Sequence, residues 1–297
     1  MELVAELAAI VLPVFICAGI GLLWTRLGKP FDSDLVSRLV YKIGVPCLIL
    51  ATFSKVTLDP RALGQVAAAS FVAYCCFAAI GALVLRAAKL PLTSYLPSMM
   101  FPLVGSMGLP VALFGFGQPG LALALVYFTL GSIGTFTVGA AIAAGRVSFA
   151  KLAREPVIYA ALIAVGLLVF GLRLPRWLVN TTGLLGGVVV PLQLIALGSS
   201  LGQLRVGSLP RASALACLRL GMGLGVGYAM AALFGLTGVA RAVVILLSAM
   251  PVAVSNYLFA LIYKRKPEEV AGMVLISTMI AFFGLPVLLA FLLPAAR

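Results

Sequence analysis

The sequence contains no histidine, only eight carboxylates and no long polar stretch among its 297 residues. Each shortage closes a class of function. Every Asp and Glu falls at or near the end of an apolar run, so the chain offers no paired acid and base, no metal-ligand cluster and no carboxylate deep enough to relay protons across a membrane. Glu6, the nearest candidate, lies about one turn inside the first apolar run and reads as an interfacial residue. Cys17, Cys47, Cys75, Cys76 and Cys217 show neither redox nor zinc spacing and read as small core residues. With no serine-nucleophile motif and no cofactor fingerprint either, the chain is not read as an enzyme. Gly221, Gly223, Gly225 and Gly227 follow no strand, so they read as close helix packing and not as a nucleotide loop.

What is present is apolar. Hydrophobic residues make up 63% and charged residues 10% of the chain, and its mean hydropathy is +1.20. The apolar residues come in blocks of roughly 17 to 25, the length a helix needs to cross about 30 Å of hydrocarbon. The weak alternation of an outer-membrane barrel is absent. Spans are expected over Leu3–Trp24, Asp34–Ser54, Ala62–Leu85, Tyr95–Phe116 and Pro119–Ala143, then Pro156–Leu172, Trp177–Leu201, Ala214–Phe234, Gly238–Ile262 and Glu268–Leu293. The acidic start at Glu2 and Glu6, with no small-residue cleavage site after the apolar run, makes the first of these a span and not a signal peptide. The expected fold is an all-α polytopic membrane protein, one membrane domain made of two halves, residues 1–145 and 146–297.

Ten spans put both termini on one side, and the basic residues say which. With the termini outside, the inner loops and helix ends hold Arg26, Lys29, Arg38, Lys42, Arg86, Lys89, Arg146, Lys151, Arg154, Arg205, Arg211, Arg219, Lys264, Arg265 and Lys266. The outer ends keep Lys55, Arg61, Arg173, Arg176, Arg241 and Arg297. Fifteen against six places both termini outside a cytoplasmic (inner) membrane, and it accounts for the formal charge of +13 without a nucleic-acid partner. Asp34, Arg38 and Lys42 recur every four residues on one face and read as the cytoplasmic, amphipathic start of the second span.

Five spans per half means that the second half enters the membrane in the opposite sense, which is the condition for an inverted repeat. Internal matches agree. Val45-Pro46 corresponds to Val190-Pro191, Met100-Phe101-Pro102-Leu103-Val104 to Ala249-Met250-Pro251-Val252-Ala253, Ser106 to Ser255 and Thr129 to Thr278. A proline inside a helix removes one amide donor and clashes with the carbonyl four residues back, and lipid cannot satisfy the freed groups. Breaks at Pro102 and Pro251 therefore point to a polar centre between the halves, with Gly108, Pro110, Pro46 and Pro191 as further helix breaks or hinges. Half-helix amide ends carry partial positive charge and suit an anion. Gly105, Ser106, Gln193, Ser255 and Asn256 are the expected contacts beside the two prolines, and Thr129, Ser277 and Thr278 the further polar lining. Kinked helices could also line a channel.

These residues bring the chain to a family. Leu12-Pro13-Val14-Phe15 with Gly19 and Gly21, Val45-Pro46, Gly105 with Gly108-Leu109-Pro110, Val190-Pro191-Leu192 with Leu197-Gly198, Ala249-Met250-Pro251-Val252-Ala253, and Ser277-Thr278 with Leu285-Pro286 together resemble the auxin efflux carrier family. The family groups bacterial organic-anion permeases with plant auxin exporters and is similar in fold to the bile-acid symporters. The resemblance implies crossing broken helices four and nine, and elevator-type movement against a scaffold that is often a homodimer. Members commonly place Asn-Thr after the first crossing proline, where this chain has Leu103-Val104; Ser255 and Asn256 are left to supply the polar contacts. The implied cargo is a small organic anion, a mono- or dicarboxylate first and a bulkier aromatic or steroid acid second. No cofactor is expected. Sodium held by carbonyls and hydroxyls needs no fixed charge, so a sodium-coupled symporter stays open as the alternative.

Overall fold

A helix satisfies its own backbone hydrogen bonds and can therefore stand in lipid, and in the computed structural model the described residues are predominantly helical. It describes residues 2–55, 60–145, 156–170, 172, 174–204, 207 and 209–296. Among the described residues there is no strand, only one isolated antiparallel bridge between Pro102 and Val252. Arg146, Lys151, Arg154, Arg173, Arg205 and Arg297, which weigh in the orientation argument, lie outside the described residues, as do the side chains of Asp34 and Lys55.

The helices run in the order α1 (Glu2–Arg26), α2 (Ser33–Leu39), α3 (Val45–Lys55), α4 (Pro60–Ala87), α5 (Leu92–Met100), α6 (Leu109–Gly134), α7 (Ala140–Ala144), α8 (Pro156–Val169), α9 (Arg176–Gly187), α10 (Val189–Gln203), α11 (Leu209–Leu233), α12 (Gly238–Ser248), α13 (Val254–Ile262) and α14 (Pro267–Ala296). Wider π-turns over Val40–Gly44, Val104–Gly108 and Thr135–Gly139 lead into α3, α6 and α7. Among the described residues, seven helical stretches are long and apolar enough to cross a membrane, and Pro156–Leu167 and Gly238–Ser248 are shorter apolar helices. Large apolar side chains such as Leu23, Phe71, Leu83, Leu184, Phe283 and Phe291 remain exposed on the outside of the bundle, as a lipid-facing surface requires. The chain is thus a polytopic, multi-pass membrane protein.

One stretch, Val104–Ala144, is 41 residues long, about twice what the hydrocarbon core accommodates. It is not one rod. Gly117 takes φ 64 and ψ −158 inside it, a conformation open almost only to glycine. A methyl group on Gly120 would stand 2.7 Å from the Ala112 carbonyl oxygen, whereas eight residues of straight helix separate their ends by about 12 Å. The chain therefore reverses at Gly117, between the two runs expected from the sequence to end at Phe116 and restart at Pro119.

Packing sorts the helices into two bodies. In the first, α1 lies along α10, and α3 packs on α8 and α9. The α1–α10 pair meets backbone to backbone, because Gly21 faces the Ile195 carbonyl and Gly198 faces the Ala18 carbonyl; Thr25 and Ser199 add a 2.7 Å hydroxyl bond. Small residues are what allows such approach in lipid, where packing has to supply the attraction. In the second body, α11 packs on α4, α12 and α14, and α4 on α5 and α6. Gly223 and Gly227 are the members of the glycine series that make a close contact, against Ser248 and Ile245 of α12, while Gly221 and Gly225 meet nothing within 4 Å.

Arg219 corrects the orientation count. Placed with the inner helix ends on sequence, it is fully buried in α11, ten residues or about 15 Å from the start of that helix. The inner total falls to fourteen against six and still points the same way.

Candidate functional site

The two proline breaks meet. Helix α5 ends at Met100 and α12 at Ser248, and the segments that follow run extended past each other. The Leu103 amide donates to the Pro251 carbonyl at 2.7 Å, and the Ala253 amide donates to the Phe101 carbonyl at 3.2 Å. Pro102 and Pro251 have no amide hydrogen, so the residues flanking them supply the donors that hold the crossing. Two side chains finish it. Asn256 Nδ2 donates to the Phe101 carbonyl at 3.1 Å, and the Val252 amide donates to Ser277 Oγ at 3.0 Å.

A cavity of about 700 Å³ opens beside the crossing, between the two bodies. The first body contributes Arg38, Tyr41, Lys42, Gln193 and Gln203; the second contributes Pro102–Ser106, Phe128, Phe136, Ala253–Ser255 and Phe259. The residues that begin the second half of each broken helix, Val104–Ser106 and Val254–Ser255, thus form part of its wall, and the N-terminal ends of these half-helices make this end of the crossing positive. Residues Met100 and Ser248, where the preceding half-helices end and carry negative ends, are not part of that wall.

Five of the sequence-predicted contacts line the cavity: Pro102, Gly105, Ser106, Gln193 and Ser255. Ser106 Oγ donates to Gln193 Oε1 at 2.8 Å, bonding the crossing to α10 across the two bodies. Gln193 is buried with its Nε2 unpartnered. A methyl on Gly105 would stand 2.9 Å from Phe128 Cε2 and 3.0 Å from Gln193 Oε1, so a side chain there would intrude on this corner.

The remaining residues sit elsewhere. Pro251 and Asn256 belong to the crossing behind the cavity, and Asn256 Oδ1 is buried without a partner. The reason is local: the break at Pro102 takes the Phe101 carbonyl out of the helical ladder, and the Asn256 amide adds a second donor to the one from Ala253. Thr129 Oγ1 bonds within its helix to the Leu125 carbonyl, Ser277 serves the crossing, and the Thr278 hydroxyl is buried without a partner. Pro46 and Pro191 lie inside continuous helical stretches, Leu35–Ser54 and Arg176–Gln203, each just after an irregular turn, at Val40–Gly44 and at Val188. Pro110 opens α6, and Gly108 is helical, its missing side chain making room for Leu247.

Sequence reading missed the aromatic wall. Tyr41 stacks on Phe128 at 6.2 Å, and Phe136 stands edge-on to Tyr41 at 6.0 Å and to Phe259 at 6.1 Å. The rings come from separate segments with no shared spacing, so no pattern announces them. At the mouth, Asp32, Arg38 and Lys42 are exposed, and Asp32 caps α2 by accepting the Leu35 amide at 2.8 Å. Among the described residues no three His, Cys, Asp or Glu side chains gather in one place. Oxygens for a hard cation near the crossing are therefore those of hydroxyls, amides and carbonyls.

Crossed, proline-broken helices buried in a polytopic bundle beside a polar-ended cavity define a membrane transport architecture. The family model described as membrane transport protein matches residues 140–289, and the chain belongs to that family, the auxin efflux carriers, which are transporters. No curated protein matches the chain.

Proposed function

We propose that the protein is a secondary carrier for organic anions, working by elevator-type alternating access. The observation that carries this reading is the cavity between the two bodies, walled by the amide-rich starts of both broken helices and by Gln193. Ten crossings follow if the turn at Gly117 divides one long stretch, if α5 completes the fourth crossing and α13 the ninth, and if α8 counts as the sixth. The halves 1–145 and 146–297 are then inverted repeats related through the Pro102–Val252 bridge. With both termini outside the cytoplasmic membrane, the cavity mouth at Asp32, Arg38 and Lys42 opens inward. The body of α4–α7 and α11–α14 moves, and the body of α1–α3 and α8–α10 is the scaffold, through which two copies pair.

A small mono- or dicarboxylate satisfies the electrostatics. A bulkier acid is the second reading, favoured by the aromatic wall and by a volume in the range that encloses drug-sized ligands. Proteoliposome uptake of labelled malonate and benzoate tests both. Saturable uptake stimulated by the same acid on the far side is expected, and conductance without saturation would refute the carrier. Sodium coupling would draw on Asn256 Oδ1 and Thr278 Oγ1; uptake indifferent to a sodium gradient rules it out.

A further inference from the structure

Arg219 is a charge with nothing of opposite sign beside it. Its side chain is completely buried, about 15 Å along α11 and so near the middle of the membrane. Arginine does not give up its proton in proteins, and a charge at that depth is expected to have a partner. Among the described residues no carboxylate pairs with it. Its Nη1 and Nη2 both donate to the Ser248 carbonyl, at 3.2 and 3.3 Å. The guanidinium carbon lies 4.6 Å from the centre of the Phe77 ring, and Nε has no partner.

Ser248 is the last residue of α12, so the guanidinium sits on a helix end worth about half a negative charge. Together with the ring face this holds the arginine in place and leaves it incompletely neutralised. The site is built for that contact. A methyl on Gly223 would collide with the Ser248 carbonyl oxygen and stand 2.7 Å from Nη1. Ser248 is fixed from the other side by Tyr127, whose hydroxyl lies 3.0 Å from Ser248 Oγ. Arg219 thus cancels the negative end of the half-helix leading into the crossing, on the side away from the cavity, and leaves the crossing net positive.

We infer that Arg219 is the fixed countercharge of the transport cycle: it balances a bound monoanion, so that the loaded body crosses with little net charge and the empty body carries a positive charge through the field. This rests on the carrier reading above. The empty return is then the voltage-sensitive step. A unit charge crossing about a third of the field alters that step roughly two- to fourfold per 100 mV.

The charge measurement needs no cargo, and benzoate and malonate serve as the probe anions. Purified protein in planar bilayers is stepped in voltage without any organic anion, and the transient charge displacement is recorded; labelled benzoate exchange is measured on the same preparations. The wild type is expected to show displacement with an apparent valence of about 0.3, Arg219→Lys to keep it, and Arg219→Gln to lose it. Benzoate at saturating concentration on both sides should suppress it in the wild type. Undiminished displacement in Arg219→Gln overturns the inference. So does its absence from a wild type that exchanges benzoate saturably, a result that leaves the carrier reading intact and does not depend on the folding of any variant. Displacement that vanishes in Arg219→Gln, with no saturable exchange of benzoate or malonate, upholds the mobile charge and rules out these two acids as cargo.

Discussion

Ser277 and Thr278 are adjacent, equally buried and opposite in what their hydroxyls do, which makes them a paired test of how the crossing is held. Ser277 Oγ accepts the Val252 amide at 3.0 Å, at a point where the extended chain has no helical partner to offer. Ser277→Ala strands that amide in a region without water, at a cost of about 1–3 kcal/mol. Thr278 Oγ1 is buried without a partner, so Thr278→Val keeps the shape and removes an unsatisfied hydroxyl, with an expected effect between zero and a gain of about 1 kcal/mol. Thermal unfolding of the two variants in detergent reads the difference. At roughly 2 °C per kcal/mol for a chain of this size, Ser277→Ala should lower the midpoint by about 2–6 °C, and Thr278→Val should leave it unchanged or slightly raised. A fall in Thr278→Val as large as that in Ser277→Ala would refute the reasoning and mean that its hydroxyl holds a water or an ion.

Three further outcomes are expected. Gly21→Ala, whose methyl would run into the Ile195 carbonyl, should lower the unfolding midpoint sharply, by an amount corresponding to about 1–3 kcal/mol or more, whereas Gly19→Ala on the same helix meets nothing within 4 Å and should be neutral. Gly117→Ala forces a side chain into a conformation reserved for glycine and should cost about 1–3 kcal/mol, again read by thermal unfolding. Gln193→Glu sets a carboxylate against the bound anion at the site of the unpartnered amide and should raise the KM for carboxylate uptake by tenfold or more, while Gln193→Asn should fall between the two.

The architecture was legible where it depends on hydropathy and on proline. Block lengths located the long helices, the gap between Phe116 and Pro119 marked the reversal, and Pro102 and Pro251 marked the helix breaks, because each signal follows from backbone chemistry that no neighbour can cancel. Residues whose role depends on what lies opposite were not legible. Asn256 could face a ligand or a carbonyl, and only the fold shows it spent on Phe101. Arg219 stands near the expected edge of its span, where a solvated position is the ordinary reading; α11 begins five residues earlier than the expected Ala214 and buries it. Tyr41, Phe128, Phe136 and Phe259 become a wall only when four segments converge.

The crossing itself is closed by main-chain groups, Leu103 to Pro251 and Ala253 to Phe101. Those bonds are indifferent to which side chains stand at 103, 104 and 255. Cargo preference and architecture are thereby uncoupled: the positions facing the cavity are free to drift, or to be randomised in a library, while the prolines, Asn256 and Ser277 keep the crossing segments together. Leu103-Val104 illustrates that freedom, a pair of buried apolar residues in the cavity wall beside the crossing, whose main-chain frame does not depend on them.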